Sequence, residues 1–201
     1  MIKAICFDLD GVYFVNGKSN FITNLGKYGV SEDEAKRVFL KSDEMNKMYK
    51  EGKMPDDEYW SWAIDQWRID LTVQEVINLL IEGYEINEDV VKVVKDVREN
   101  GYKTLICTNN FPARINGLDK RFGLLDNFDA YVFSYEIGAT KPSTKIFQIL
   151  VDRSGVKAGE IVFADDNDAN LDGAKEVGIQ AFFYEGFEHF MGKLKELGVE
   201  L

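Results

Sequence analysis

The sequence predicts an α/β fold in which a Rossmann-like parallel sheet is flanked by helices and a small all-helical segment is inserted after the first strand. Three observations predict it. A short apolar run at residues 2–7 is typical of a buried strand. From residue 86 onward, strand-like and helix-like segments alternate, which favours parallel strands covered by helices on both faces. Between them, residues 18–85 show helical patterns alone.

The helical segment has recognisable helix starts. Ser31 with Glu34 and Thr72 with Glu75 match capping boxes, and Pro55 is suited to the first turn of a third helix. Aromatic residues recur here at helical spacing, so we expect most of them in the core of a small bundle. They are Tyr49, Tyr59, Trp60, Trp62 and Trp67.

The remaining elements follow in a regular order. Asn87 can cap a helix that Gly101 ends before a strand at residues 104–107. A helix from Ala113, a strand at 131–133, a helix from Ser143, a strand at 161–164, another helix and a strand at 181–184 complete the alternation. This order predicts one doubly covered sheet.

Composition restricts the classes of function. The chain has 201 residues, of which 45% are hydrophobic, so it can form one sizeable core and a smaller module. With 24 basic and 35 acidic residues and no long basic run, the chain is a poor match for a nucleic-acid partner. The apolar runs are too short for a signal peptide or a membrane span, so we expect a cytoplasmic protein with no membrane partner.

Cysteine and histidine offer little catalytic potential. Cys6 and Cys107 both lie in apolar strand-like runs, so we expect buried, reduced thiols rather than a disulfide or a metal pair. His189 has no partner histidine or paired cysteine in the sequence pattern. A histidine-based metalloprotease or a Ser-His-Asp hydrolase is therefore disfavoured.

Two aspartates at the end of the first strand are the most informative feature. Asp8 and Asp10 follow the apolar run directly, and ligands of open α/β sheets bind beyond the carboxyl ends of the strands. Two carboxylates at close range require a cation or another positive group. A calcium loop that started at Asp8 would need glutamate at its twelfth position, which is Ser19, so we reject that interpretation.

Polar residues also follow the later strands. Thr108 and Asn109 could hydrogen-bond phosphate oxygens, although taken alone such residues are more often turn formers. Lys141, before a proline, could offset the charge of nearby carboxylates. Asp165 and Asp166 supply oxygen ligands of the kind that Mg²⁺ accepts.

These four segments, in this order, resemble the four motifs of the haloacid dehalogenase superfamily, whose members are mostly magnesium-dependent phosphatases that form an aspartyl-phosphate. The resemblance implies that residues 1–15 and 86–201 form the catalytic core and that residues 16–85 form a helical cap. Val12 stands where many members have threonine. In this respect the motif resembles that of sugar-phosphate phosphatases, phosphoglucomutase-like enzymes and the phosphatase domain of epoxide hydrolases, among which valine also occurs at this position.

The resemblance also implies a role for each residue. Asp8 would attack phosphorus, Asp10 would act as acid and base, and Lys141 would orient Asp8 and neutralise the incoming group. The implied phosphate ligands are Thr108, Asn109 and Lys141, and the implied Mg²⁺ ligands are Asp8, Asp10 through its carbonyl, Asp165 and Asp166. The expected reaction is hydrolysis of a small phosphorylated metabolite, such as a sugar phosphate, by a monomer or homodimer.

Alternatives remain at the level of sequence. A phosphoglucomutase-like phosphotransferase would keep every motif. A haloacid dehalogenase lacks the second acid, because a halide needs no proton, so Asp10 disfavours it. A non-catalytic binding module would be expected to lose Asp8 or Lys141. For contacts to the leaving group of the substrate, we expect residues among Lys47, Tyr49, Lys50, Arg68, Phe111 and Arg114.

Overall fold

The computed structural model describes residues 1–201 and contains seven strands. They are β1 (Ala4–Phe7), β2 (Phe14–Val15), β3 (Glu85–Ile86), β4 (Lys103–Thr108), β5 (Ala130–Phe133), β6 (Ile161–Asp165) and β7 (Gln180–Phe183). Five of them form one parallel sheet in the order β5-β4-β1-β6-β7. The predicted α/β class is confirmed.

β1 is the central strand of this sheet. It pairs in parallel with β4 on one side and β6 on the other, so their carboxyl ends meet at one edge. All residues of β1 and β6 are buried, as expected for strands covered on both faces. Cys6 and Cys107 are buried free thiols on neighbouring strands, in agreement with the prediction.

Helices fill the segment between β2 and β3. They are α1 (Gly17–Leu25), α2 (Glu32–Phe39), α3 (Asp56–Trp67) and α4 (Val73–Glu82), with a π-helical segment at Glu44–Tyr49. β2 and β3 pair antiparallel, which brings the two ends of the segment together. We call residues 16–85 the helical insertion, and its status as a separate cap domain stays a prediction.

The predicted helix starts are mostly reproduced in the insertion. Thr72 and Glu75 form a complete capping box, whereas Ser31 accepts from the Glu34 amide without the reciprocal bond. The carboxylate of Glu34 instead binds Arg37 one turn later. Because the Glu34 carboxylate binds Arg37, it does not accept from the Ser31 amide, and the capping box at α2 is only half formed.

Six further helices cover the sheet. They are α5 (Glu88–Glu99), α6 (Pro112–Phe122), α7 (Ser134–Ile137), α8 (Thr144–Ser154), α9 (Asp172–Val177) and α10 (Phe187–Glu196). Asn87 precedes α5, but its side chain donates to the carbonyl of Val12 instead of capping the helix. None of the helices combines the length and apolar composition that a membrane span requires.

The insertion packs on α6 through an aromatic cluster. Tyr49 stacks on Tyr59 with ring centroids 4.3 Å apart and on Phe111, just before α6, with centroids 4.6 Å apart. Trp60 donates its indole N–H to the Tyr49 hydroxyl. The expected aromatic core of the bundle is therefore present, and it continues into the start of α6.

Candidate active site

Asp8 lies directly beyond β1 and is only 6% exposed. Lys141 Nζ is 2.9 Å from Asp8 Oδ1, but the two groups are not aligned for a hydrogen bond, and this oxygen accepts none. Burial, with smaller contributions from Asp165 and Asp10, raises the pKa of Asp8 to about 6 against the opposing effect of Lys141. The ammonium of Lys141 therefore offsets part of the cost of this buried charge, and no amide or hydroxyl group donates to Oδ1.

The ammonium of Lys141 contacts residues at the ends of three neighbouring strands, β1, β4 and β6. Besides Asp8, its ammonium contacts Asp165 Oδ2 and donates to the carbonyl of Cys107 at 3.0 Å. Burial alone would lower the pKa of Lys141, but the carboxylates of Asp8 and Asp165 raise it well above its ordinary value. Lys141 is therefore a permanent cation between two acids.

Asn109 fixes the backbone of Lys141. Its Oδ1 accepts from the Lys141 amide at 2.7 Å, and its Nδ2 donates to the Lys141 carbonyl at 3.1 Å. Sequence reasoning assigned Asn109 only to phosphate and missed this pairing. The hydroxyl of Thr108, at the end of β4, donates no hydrogen bond within the protein. Of the two predicted phosphate ligands Thr108 and Asn109, only Thr108 therefore keeps a side-chain donor that no protein group uses.

The two acids after β6 differ in their surroundings. Asp165 Oδ1 accepts from the Asn167 amide and from Asn170 Nδ2, both at 2.9 Å, and its Oδ2 contacts Lys141. Asp166 is exposed and receives no donor from the protein. Even so, carboxylate oxygens of Asp8, Asp165 and Asp166 all lie within 4.8 Å of one another. The structure therefore brings the predicted acids together but leaves only Asp8 and Asp166 with unused oxygens.

The turn after β1 depends on a glycine. Gly11 has φ +76°, and a Cβ atom at this position would overlap the carboxylate of Asp166. Hydrogen bonds from the Gly11 amide to Phe14 and from the Phe14 amide to Leu9 close the turn. Glycine therefore permits both the left-handed backbone and the close approach of Asp166.

Asp10 lines the same cavity as the other acids and meets donors from three separate parts of the chain. Its Oδ2 lies 2.9 Å from Arg114 Nη2 and 3.1 Å from Lys18 Nζ, and its Oδ1 accepts from the Tyr84 hydroxyl at 3.2 Å. Burial acts in the opposite direction, but Arg114 and Lys18 hold the pKa of Asp10 below its ordinary value.

A polar cavity of about 240 Å³ joins these residues, and no hydrophobic residue lines it. The helical insertion contributes three of the lining residues, Lys18, Asn46 and Lys50. The complete lining is Asp8, Asp10, Lys18, Asn46, Lys50, Thr108, Asn109, Lys141, Asp166, Asn167 and Asn170.

Lys50 and Asn46, both from the helical insertion, are joined by a hydrogen bond, and the backbone holds Asn46 in place. Asn46 Nδ2 donates to the carbonyls of Leu40 and Ser42, which leaves its Oδ1 to accept from Lys50 Nζ at 2.9 Å. Burial, together with Arg114 and Lys18, lowers the pKa of Lys50 to about 7. Lys50 has no carboxylate partner.

Of the six residues expected to contact the leaving group, only Lys50 lines the cavity. Lys47 and Arg68 are exposed, and Lys47 pairs with Asp43. Tyr49 and Phe111 are buried in the aromatic cluster. The expectation was wrong for these residues, because helical spacing does not reveal which face of the insertion looks toward the sheet. Lys18 and Asn46 were missed for the same reason. Arg114 contacts Asp10 instead.

Comparison with known proteins identifies relatives. Residues 2–178 match the family model described as a hydrolase, haloacid dehalogenase-like. The chain is 24% identical over 188 residues to D-ribitol-5-phosphate phosphatase of Bacteroides thetaiotaomicron, covering 90% of this chain and 91% of that protein. It is 25% identical over 193 residues to glyceraldehyde 3-phosphate phosphatase of Methanopyrus kandleri, covering 89% and 82%.

Other relatives are covered only in part. The chain spans 66% of an uncharacterized protein of Dictyostelium discoideum, with 28% identity, and 20% of bifunctional epoxide hydrolase 2 of Rattus norvegicus, with 27% identity. Among solved structures, a HAD family enzyme from Bacteroides thetaiotaomicron in complex with magnesium and inorganic phosphate has a TM-score of 0.78 and 20% identity, covering 94% of this chain and 99% of that chain. This likeness establishes the fold.

Proposed function

The chain belongs to the haloacid dehalogenase-like hydrolase family, and from this premise we propose that it is a Mg²⁺-dependent phosphatase of small phosphorylated metabolites that acts through an aspartyl-phosphate. One observation carries the proposal. Asp8 is a buried carboxylate that lies beside Lys141 and lines a cavity with no hydrophobic residue. A carboxylate in this position can attack an electrophile that enters the cavity.

The donor set fits a magnesium ion. Mg²⁺ prefers oxygen ligands, and Asp8 and Asp166 have carboxylate oxygens that no protein donor occupies. The carbonyl of Asp10 is the third protein ligand that we propose. Because the oxygens of Asp165 accept from Lys141, Asn167 and Asn170, we assign Asp165 to holding Lys141 in place. When bound, Mg²⁺ would neutralise charge on the phosphoryl group.

In the first step that we propose, a carboxylate oxygen of Asp8 attacks phosphorus and the bond from phosphorus to the leaving oxygen breaks. Asp10 is ionised in the free protein, because Arg114 and Lys18 lower its pKa, so it must gain a proton as the substrate binds. It then donates that proton to the leaving oxygen, and the leaving group departs as an alcohol. The hydroxyl of Thr108 and the ammonium of Lys141 stabilise the transferring group, whose charge is spread over its equatorial oxygens. The products are an alcohol and an aspartyl-phosphate on Asp8.

In the second step, water attacks the phosphorus of the aspartyl-phosphate and the bond to Asp8 breaks. Asp10, now ionised, accepts the proton from the attacking water. Inorganic phosphate leaves, and both aspartates return to their starting protonation states. One carboxyl group thus serves both steps, and this requires it to stay close to the oxygen that gains or loses a proton.

The cavity supports a small, hydrophilic leaving group. Its volume of about 240 Å³ must also hold the phosphoryl group, and Lys18, Asn46 and Lys50 offer it only polar contacts. Two relatives are named as phosphatases of ribitol 5-phosphate and glyceraldehyde 3-phosphate, which are metabolites of this size. We propose a sugar or polyol phosphate as substrate, in the cytoplasm where such compounds occur, and a monomer or homodimer as the working form.

The direct test is phosphate release from a panel of ribitol 5-phosphate, glyceraldehyde 3-phosphate, glycerol 3-phosphate, glucose 6-phosphate and p-nitrophenyl phosphate. We expect Mg²⁺-dependent release that EDTA removes and that Asp8→Asn lowers by at least about 1,000-fold. Asp168→Asn is the matched control, because Asp168 is an exposed acid near β6 that does not line the cavity.

Two results would contradict the proposal. Release that persists in Asp8→Asn would exclude a covalent role for Asp8. Release that requires a sugar bisphosphate, with phosphate returned to a second sugar phosphate, would identify a phosphotransferase instead.

A further inference from the structure

Arg114 is a buried guanidinium whose three nitrogens are all engaged within the protein, and it is only 1% exposed. Nε donates to Asn110 Oδ1 at 2.6 Å, and Nη1 donates to the Tyr84 hydroxyl at 2.8 Å. Nη2 lies 2.9 Å from Asp10 Oδ2 and 3.3 Å from the Asn109 carbonyl. Arg114 therefore does not reach the cavity, and its contact with the site is made through Asp10.

Tyr84 contacts the other oxygen of the same carboxylate. Its hydroxyl donates to Asp10 Oδ1 at 3.2 Å while it accepts from Arg114. The ring is buried, and a Cβ atom at Gly17 would overlap it, so the position of the ring depends on the glycine. Arg114 thus contacts Oδ2 of Asp10 and Tyr84 contacts Oδ1, and together these two contacts set the plane of the carboxyl group.

The donors leave one position on Asp10 for proton transfer. A carboxylate has about four lone-pair sites, two on each oxygen. Arg114 and Lys18 both lie against Oδ2, whereas Oδ1 accepts from Tyr84 alone. The remaining site is on Oδ1.

We propose that Arg114 and Tyr84 are positioning residues that hold Asp10 with Oδ1 directed at the leaving oxygen. The inference rests on the proposed function, in which Asp10 transfers the proton. Neither residue touches the reacting atoms. Both lie outside the four motifs on which the family resemblance stands: Tyr84 precedes β3, and Arg114 lies in the first turn of α6.

The test compares two leaving groups in single turnovers with excess protein. An alkoxide needs a proton as it departs, whereas p-nitrophenolate departs without one, so only the first should depend on the position of Asp10. The substrates are the alkyl phosphate of the panel that the native protein hydrolyses fastest and p-nitrophenyl phosphate. We expect Arg114→Lys to slow alcohol release about 10- to 100-fold and Tyr84→Phe about 3- to 10-fold. For p-nitrophenolate release, both changes should stay within about threefold.

A matched control keeps a structural effect separate. Arg121 also lies on α6 and binds the insertion through the carbonyl of Ile81, but it does not contact Asp10. Arg121→Met should affect both substrates equally, and the thermal unfolding of each variant shows whether it is folded. Tyr84→Phe removes one hydroxyl group and keeps the ring, so it tests the inference even if Arg114→Lys is unstable.

The two proposals fail in different ways. Equal losses on both leaving groups, or no loss on either, in Arg114→Lys and Tyr84→Phe would overturn the positioning role while native phosphate release still supports a phosphatase. A native protein that releases no phosphate from any member of the panel would overturn the proposed function, and the positioning role with it.

Discussion

The two ends of the cavity differ in charge and in how the fold builds them. At the core end, carboxylate oxygens of Asp8, Asp165 and Asp166 lie within 4.8 Å of one another, and the ammonium of Lys141 contacts the first two acids. At the insertion end, Lys18 and Lys50 line the cavity and no acid from the insertion accompanies them. The acids of the core end therefore attract a cation, and the lysines of the insertion end attract a negatively charged substrate.

We infer from this difference that the core end carries out the reaction and that the insertion end selects the substrate. The acids at the core end lie at the carboxyl ends of β1 and β6 or directly after them, where a rigid sheet sets their spacing. The groups at the insertion end come from helical segments that pack on the core through side chains. We infer that changes at the core end stop the reaction, whereas changes at the insertion end redirect it. The following predictions test this division, from the largest expected effect to the smallest.

The largest effect is expected for Lys141→Ala. It leaves Asp8 and Asp165 buried without their cation, so the free energy of unfolding should fall by about 3 to 5 kcal/mol along with activity. Urea denaturation of the protein without Mg²⁺ measures it. Lys145→Ala is the control, because Lys145 is exposed and bonds only the carbonyl of Ile137, and it should change stability by less than about 0.5 kcal/mol. A similar small loss in both variants would contradict the importance of the buried ion pairs.

The second effect is a gain in stability where activity is lost. Burial raises the pKa of Asp8 to about 6, so the folded state holds a proton there more tightly than the unfolded chain, and ionisation of Asp8 destabilises the fold above that pH. Asp8→Asn should therefore raise the free energy of unfolding by about 1 to 3 kcal/mol at pH 8 without Mg²⁺. The gain should shrink as the pH falls from 6 toward 4. Asp168→Asn should show no such pH-dependent gain.

The third effect concerns Mg²⁺. Because a proton on Asp8 competes with the metal, the dissociation constant for Mg²⁺ should be nearly constant from pH 7 to 8 and rise about tenfold per unit below pH about 6. Calorimetric titration of the native protein at several pH values measures it. An affinity that does not change between pH 7 and 5 would mean that Asp8 is not a ligand.

The smallest effect is expected at the insertion end. Lys50→Ala should raise KM about 3- to 10-fold for the preferred sugar or polyol phosphate and change the ranking of the panel, while kcat for p-nitrophenyl phosphate stays within about twofold. The reason is that Lys50 lines the cavity opposite the acids and has no carboxylate partner. Arg68→Ala serves as the control, because Arg68 is exposed outside the cavity. An unchanged ranking in Lys50→Ala would remove this residue from substrate selection.

Sequence patterns predicted the core end more fully than the insertion end. Asp8 and Asp166 follow apolar strands, and parallel strands bring such positions to one edge of the sheet. Lys141 was also expected at a strand end, but α7 lies between β5 and this residue. The hydrogen bonds between Asn109 and the backbone of Lys141 could not be predicted, because they join residues 32 positions apart in the chain. For the same reason, Arg114 was expected at the substrate, although its partners are Tyr84 and Asp10.

By itself, the amino-acid sequence determined the fold class, the order of the strands along the chain, most helix starts and the identity of the acids at the strand ends. Hydrophobic periodicity and capping are local properties, and a parallel sheet converts them into a site. Only the tertiary structure decided which helix faces look into the cavity, which acid keeps an unused oxygen and which donors hold Asp10. Those features depend on side chains far apart in the chain, whose meeting is set by packing between elements.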